Sequence, residues 1–278
     1  MPYLTVDGTR LYYDDTGTGP PLLLIHGLGS SGRDWMEQVD TFAERYRVIR
    51  VDLRGHGRSD RPKGPYSMPE FAREVAVLLR RLDAVPAHVV GLSMGGMVAL
   101  QLAADAPGLV RSLVVVNSTA DTRIRTWRDL WFYVSRRTAV QVLGMRRVGK
   151  LIARRLFVEP EQEDLRREFI RRWADNDKKG YLWSVDAIMG WSVWDRLDTI
   201  ASPTLLVAAE HDYTPISEKN RIVAEMPRAT LEVVDGARHA LPVERPAVFN
   251  AVVGRFFQEV EEDDTGRQLS VEAAEGSH

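Results

Sequence analysis

The run Leu22-Leu23-Leu24-Ile25 is apolar at every position. A strand with one face in water alternates apolar and polar residues. An unbroken apolar run therefore asks for cover on both faces, which parallel strands flanked by helices receive. Tyr46 to Asp52, His88 to Leu92 and Leu113 to Asn117 read as further buried strands, each followed by a Gly-rich or polar turn. Between them the period changes to that of a helix. Ser67 and Glu70 have capping-box spacing, Pro69 sits in the first turn where its missing N–H does no harm, and Phe71, Val75, Leu78, Leu79 and Leu82 recur at helical period. A second helix runs from Gly95 through Met97, Leu100 and Leu102 to about Ala106, where Pro107-Gly108 stops it. Strand–helix alternation of this kind predicts an α/β fold, a parallel sheet with helices on both faces. A hairpin precedes it, turned by Asp7-Gly8 between Leu4–Val6 and Leu11–Asp14.

The rhythm breaks at residue 119 and resumes with a strand at Thr204–Ala209, a helix near Ser217–Met226, a strand at Thr230–Val234 and a helix from Pro246. Residues 119–198 hold no strand-like run and read as several arginine-rich helices carrying six of the seven Trp. One sheet, built from 1–118 and 199–258, is thus interrupted by a helical insertion. Residues 259–278 contain seven acids against Arg267 and little that is apolar, which predicts a disordered tail.

Charge and cysteine content narrow the function. A formal net charge of -2 gives no overall field for nucleic acid or an anionic membrane. Between 120 and 180, however, sixteen Lys or Arg face nine acids, a local excess of +7 that the average hides. With no cysteine there is no disulfide, thiolate metal site or cysteine nucleophile. No apolar run approaches the roughly 20 residues of a membrane-spanning helix, and Met1–Arg10 has no leader pattern. A cytoplasmic protein, monomer or homodimer, is expected.

The chemistry-bearing residues sit at strand ends. In Gly91-Leu92-Ser93-Met94-Gly95, a serine stands where a buried strand turns sharply into a helix, and small residues two positions either side allow the close approach that such a turn needs. The alternative is that Ser93 only caps the helix. A serine nucleophile needs a base. His88 starts a strand leading into the core, His278 lies in the tail, and His56 lies in a turn-forming loop. His239, in the loop after the last strand, is the candidate. The base needs a carboxylate to fix its tautomer. Asp212 follows the penultimate strand and is preferred to Glu210; Asp121 is the substitute. Oxyanion stabilisation needs backbone N–H groups, for which Met94, next after the serine, and Leu28, in His26-Gly27-Leu28-Gly29 after the first buried strand, are the candidates.

With these residues in place the chain resembles the α/β-hydrolase superfamily over residues 3–258. The resemblance rests on His26-Gly27-Leu28-Gly29 with Trp35, on Asp52-Leu53-Arg54-Gly55-His56-Gly57-Arg58-Ser59-Asp60, on Gly91–Gly96, and on the order Ser93, Asp212, His239. It implies a mostly parallel eight-stranded sheet with helices on both faces, a helical cap (119–198) inserted after strand six, and hydrolysis through an acyl-enzyme without metal or organic cofactor. Within the superfamily, Gly91–Met97 is similar to serine esterases and the 3-oxoadipate enol-lactonase group. Haloalkane dehalogenases and epoxide hydrolases carry Asp where Ser93 stands.

The expected partner is a small ester or lactone, held in a pocket for which Trp127, Trp131, Trp183 and Trp191 are the candidate lining residues. The arginine excess reads as a solvated helix face, as counter-charge for the acidic tail, or as an attractor of anionic substrate. A cofactor-free haloperoxidase or perhydrolase and an acyltransferase use the same three residues. A non-catalytic receptor is the reading from a different class.

Overall fold

The computed structural model describes residues 2–275. The expected hairpin is present: β1 (Tyr3–Val6) and β2 (Thr9–Thr16) join through Asp7 and Gly8, both with positive φ (46° and 79°), the backbone that a two-residue hairpin turn requires. There follow β3 (Pro21–Ile25), α1 (Met36–Phe42), β4 (Arg47–Val51), α2 (Met68–Arg81), β5 (Ala87–Leu92), α3 (Met94–Asp105) and β6 (Val110–Val116). The helical segment after β6 consists mainly of α4 (Trp127–Leu156), α5 (Glu163–Ala174) and α6 (Lys178–Ile188). The alternation then resumes with β7 (Thr204–Ala209), α7 (Ile216–Glu225), β8 (Ala229–Val234), the short α8 (Leu241–Glu244) and α9 (Pro246–Glu275).

The strands form one sheet in the order β1-β2-β4-β3-β5-β6-β7-β8. The pairs β1–β2 and β2–β4 are antiparallel and the rest are parallel. The all-apolar strands divide their side chains between two cores as their period of two demands. Leu23, Ile25, Val89, Leu113 and Val115 pack with α2 and α3 on one face. Leu22, Leu24, Val90, Val114 and Val116 pack with α1 and α9 on the other. At the start of α2, Ser67 Oγ accepts from the Glu70 N–H at 3.3 Å, the cap read from the sequence.

The tail departs from expectation. Instead of becoming disordered at Glu259, α9 continues to Glu275. Composition registers the acidic run but not the counter-charges the fold sets beside it. Glu261 accepts from Tyr46 Oη at 2.7 Å and pairs with Arg45, Asp264 pairs with Arg111 at 3.1 Å, and Asp263 pairs with Arg228 at 3.3 Å. Val260 is buried beside Phe257, so the apolar face also extends past the expected boundary. The last residues of that tail, with His278, lie outside the described residues. Among the described residues no helix is long and apolar enough to cross a membrane.

Candidate active site

Ser93 stands between β5 and α3 with φ 54° and ψ -115°, a backbone that costs an L-residue of order 1–3 kcal/mol unless its surroundings hold it there. Here they do. The Ser93 N–H donates to Val116 O at 2.9 Å, and its carbonyl accepts from the N–H of Gly96 (2.9 Å) and Met97 (3.2 Å) and from Ser118 Oγ (2.6 Å). The sharp turn also needs its glycines. A Cβ on Gly91 would lie 2.2 Å from Gly95 O, and one on Gly96 would lie 2.6 Å from Ser118 Cβ. Ser93 therefore is not a side-chain cap; no such bond is made at the start of α3. Met94, the first residue of α3, offers an N–H that no carbonyl of its own helix can take.

His239 and Asp212 meet across the ends of β7 and β8. His239 Nδ1 donates to Asp212 Oδ1 at 2.5 Å. The Tyr213 ring stacks on the imidazole with centroids 4.3 Å apart, which fixes the ring plane. Asp212, its side chain 1% exposed, receives a second set of donors at Oδ2, from Thr214 Oγ1 at 2.7 Å and from the ammonium of the equally buried Lys219 at 3.4 Å. Burial pushes the Asp212 carboxyl up, but the His239 hydrogen bond, the neighbouring positive charges and the Thr214 hydroxyl outweigh it and hold the group well below the usual carboxylate range. Burial likewise pushes Lys219 down, opposed by Asp212 and Glu218. The Lys219 ammonium also donates to Thr214 Oγ1, which closes the network.

The other acids are engaged elsewhere. Asp121 accepts from Arg123 Nε and Nη2 at 3.0 Å each and from Arg125 at 2.5 Å, while Glu210 accepts from the Gly236 N–H at 2.7 Å. Of the remaining described histidines, His88 is buried against Ser112 Oγ at 2.7 Å, and half-exposed His211 lies 3.9 Å from Glu210.

The loop carrying Leu28 is held from below. Leu53 N–H donates to His26 Nε2 at 3.0 Å, so the His26 proton is on Nδ1, which donates to Gly27 O at 2.8 Å. Full burial lowers the His26 pKa to about 4 and keeps that ring neutral. Asp52 braces the same loop by accepting from Gly32 N–H at 2.7 Å. From above, Asn176 Nδ2 donates to Gly29 O at 2.7 Å, and Trp173 and Tyr181 press so near that a Cβ at Gly29 would lie 2.9 and 3.0 Å from their rings.

Ser93, His239 and Leu28 line one cavity of about 760 Å³, roofed by side chains of α4, α5 and α6. Its aromatic walls correct the expectation from the Trp count. Trp127 and Trp131 are 73% and 65% exposed on the outside of α4. Trp183 packs on Gly64 and Tyr66, and Trp191 is buried with Nε1 donating to Gln101 Oε1 at 2.7 Å. None of the four lines the cavity; Trp173, Trp194, Phe132, Phe169, Tyr133 and Tyr213 do. Sequence spacing gave helices here but not their rotation about the sheet.

Two positioning residues had no sequence signal beyond their place near a strand end. Asn117, at φ 45° directly after β6, accepts from Ala209 N–H at 2.8 Å and donates to the carbonyls of Arg238 (3.3 Å) and His239 (3.0 Å). It ties the end of β7 to the His239 loop. Lys219, from α7, does the same for the carboxylate.

Comparison with known proteins agrees with this fold. Residues 20–246 match the model of the alpha/beta hydrolase fold. A protein of Azorhizobium caulinodans named as the carbamate hydrolase RutD is 32% identical over 272 residues, covering 94% of this chain and all of the relative. The 3-oxoadipate enol-lactonase 2 of Acinetobacter baylyi is 29% identical, covering 91% of this chain and 96% of the relative. The crystal structure of an enol-lactonase from Burkholderia xenovorans superposes with a TM-score of 0.84 at 27% identity, covering 92% of this chain and all of that one.

Proposed function

The chain belongs to the alpha/beta hydrolase fold family, and from that premise we propose that it is a serine hydrolase cleaving a carboxylic ester or lactone through an acyl-enzyme. The observation that carries this reading is the buried, ionised Asp212 holding His239 Nδ1 at 2.5 Å while His239 and the strained Ser93 face one cavity.

With Nδ1 committed to Asp212, the free His239 Nε2 takes the Ser93 proton as Oγ attacks the carbonyl carbon. The carbonyl oxygen becomes an alkoxide, stabilised by the N–H groups of Leu28 and Met94. The imidazolium then protonates the leaving alkoxy oxygen as its bond to carbon breaks. In the second half, His239 takes a proton from water, the hydroxide attacks the acyl carbon, and Ser93 Oγ leaves with the proton returned by His239. No metal or organic cofactor enters these steps. The insertion between β6 and β7 acts as a cap that shapes the substrate space, and the cytoplasm suits a cysteine-free chain working as monomer or homodimer.

Ser93→Ala tests this directly with a p-nitrophenyl ester series from acetate to dodecanoate. The expected result is loss of about 10⁴-fold or more in kcat with the melting temperature unchanged, and a single fluorophosphonate adduct at Ser93 in the wild type. Near-normal turnover by Ser93→Ala overturns the assignment.

A further inference from the structure

Among the described residues, the outward face of α4 has no partner. Trp127, Trp131, Val134, Thr138 and Val142 follow one another at spacings of four, three, four and four, which places them along one side of a helix. That side faces away from the core: Trp127 is 73% exposed, Trp131 65% and Val142 72%, with exposed Leu130 beside them. The inward side instead carries buried Val140 and half-buried Tyr133. Soluble surfaces scatter single apolar residues but seldom align two tryptophans and two valines in a stripe.

The charge of the same helix says what covers the stripe. From Trp127 to Leu156 there are eight Lys or Arg and one acid, Asp129, which is used up in capping the helix; before the break at Gly144, Arg136 donates to Tyr181 Oη and Arg137 pairs with Asp186. Arg128 lies over the Trp127 ring, 5.6 Å from its centroid. Past the break at Gly144 (φ 76°, ψ 169°), Arg146, Arg147, Lys150, Arg154 and Arg155 are all exposed and none has a carboxylate partner among the described residues. Aromatic anchors followed, past the break, by a run of exposed arginines without carboxylate partners are the composition of a segment that lies in the interface of an anionic bilayer, rings at the headgroup level and guanidinium groups on the phosphates. A second copy of the chain fits poorly. A symmetric contact through α4 sets this basic helix against itself, and Glu261, Asp263 and Asp264, which could neutralise it, are already paired with Arg45, Arg228 and Arg111.

We propose that the exposed Trp127–Val142 stripe, with its flanking arginines, docks the protein peripherally on anionic lipid. The first turns of α4 have the stripe on one flank and, on the other, Arg128, Phe132, Tyr133 and Arg136 in the wall of the cavity above Ser93. The docking itself does not depend on the reaction assigned to Ser93.

The test is sedimentation of the full chain with phosphatidylcholine vesicles, with or without about 30 mol% phosphatidylglycerol, at about 0.1 M and about 0.5 M NaCl. Partitioning onto the anionic vesicles is expected to exceed that onto neutral ones by about tenfold or more at low salt and to fall at high salt. Trp127→Ser/Trp131→Ser should weaken it by about tenfold, and Arg146→Glu/Arg147→Glu should weaken it on anionic vesicles only, with circular dichroism and melting temperature unchanged in both. Failure of the wild type to sediment with anionic vesicles overturns the proposal, as does equal binding to both compositions or full binding by the tryptophan variant. A dimer in analytical ultracentrifugation that the tryptophan variant dissociates, without vesicle binding, overturns it in favour of a second copy on the stripe.

Discussion

Gly95→Ala separates the turn that presents Ser93 from the loop that presents Leu28, and its effect follows from two distances. The new Cβ would stand 2.2 Å from Ile25 O and 2.7 Å from His26 O. Ordinary contact requires more than 3 Å, so about 1 Å of movement is forced. Ile25 cannot supply it: it closes β3, paired with Val51 of β4 on one side and Gly91 of β5 on the other. The start of α3 must withdraw, taking Ser93 and the Met94 N–H away from Leu28. A misplacement of about 1 Å in a reacting constellation costs about 10²-fold, and overpacking of this kind costs about 1–3 kcal/mol of stability, a melting-temperature loss of about 5 °C for a chain of this size. The assay is kcat on p-nitrophenyl butyrate together with calorimetry, with Gly108→Ala as control, since a Cβ there meets nothing within 4 Å. A soluble Gly95→Ala protein retaining more than about half of wild-type kcat refutes the claim that the two N–H groups and Ser93 act as one rigid assembly.

Two further outcomes are expected. Asp212→Asn should lower kcat by about 10⁴-fold through the wrong imidazole tautomer, while Asp121→Asn should change it by less than about tenfold because Asp121 serves Arg123 and Arg125; a larger loss in Asp121→Asn reverses the choice of acid. Stability should depend on the buried imidazoles. Burial lowers His26 and His88 to about 4 and His56 to about 3 from the ordinary 6.5, so the unfolded chain binds more protons below pH 6.5. Their contribution is complete above pH 6.5 and is lost as the pH falls towards 4 and 3, by about 2 kcal/mol per histidine at about pH 5. A urea midpoint unchanged between pH 7 and pH 5 would show that these rings are already charged or solvated in the native state.

The strands, the turn at Ser93 and the Asp212–His239 pair were legible because they depend on local facts: a run apolar on both faces, a glycine-flanked strand end, an acid and an imidazole directly after consecutive parallel strands. What was not legible depends on contacts far apart in the chain. Asn117 acts on residues 92 to 122 positions away. The acids after Glu259 are ordered by Arg45, Arg111 and Arg228, which no local window contains. The tryptophans failed for another reason. Helical period shows that residues share a face but not which way that face turns, so the exposed Trp127 and Trp131 could not be told from cavity-lining Trp173 and Trp194.

The contact between the insertion and Gly29 bears on how such proteins diversify. Trp173 and Tyr181 fill the space a side chain at residue 29 would occupy, and Asn176 holds its carbonyl. The inserted segment, which roofs the cavity, is thereby also a buttress for the loop that carries the N–H of Leu28. On the proposed mechanism, replacing residues 119–198 with the corresponding segment of a relative is then not an exchange of specificity alone: unless the donor brings its own plug and amide for Gly29, the graft loosens the proposed oxyanion site while it changes the guest.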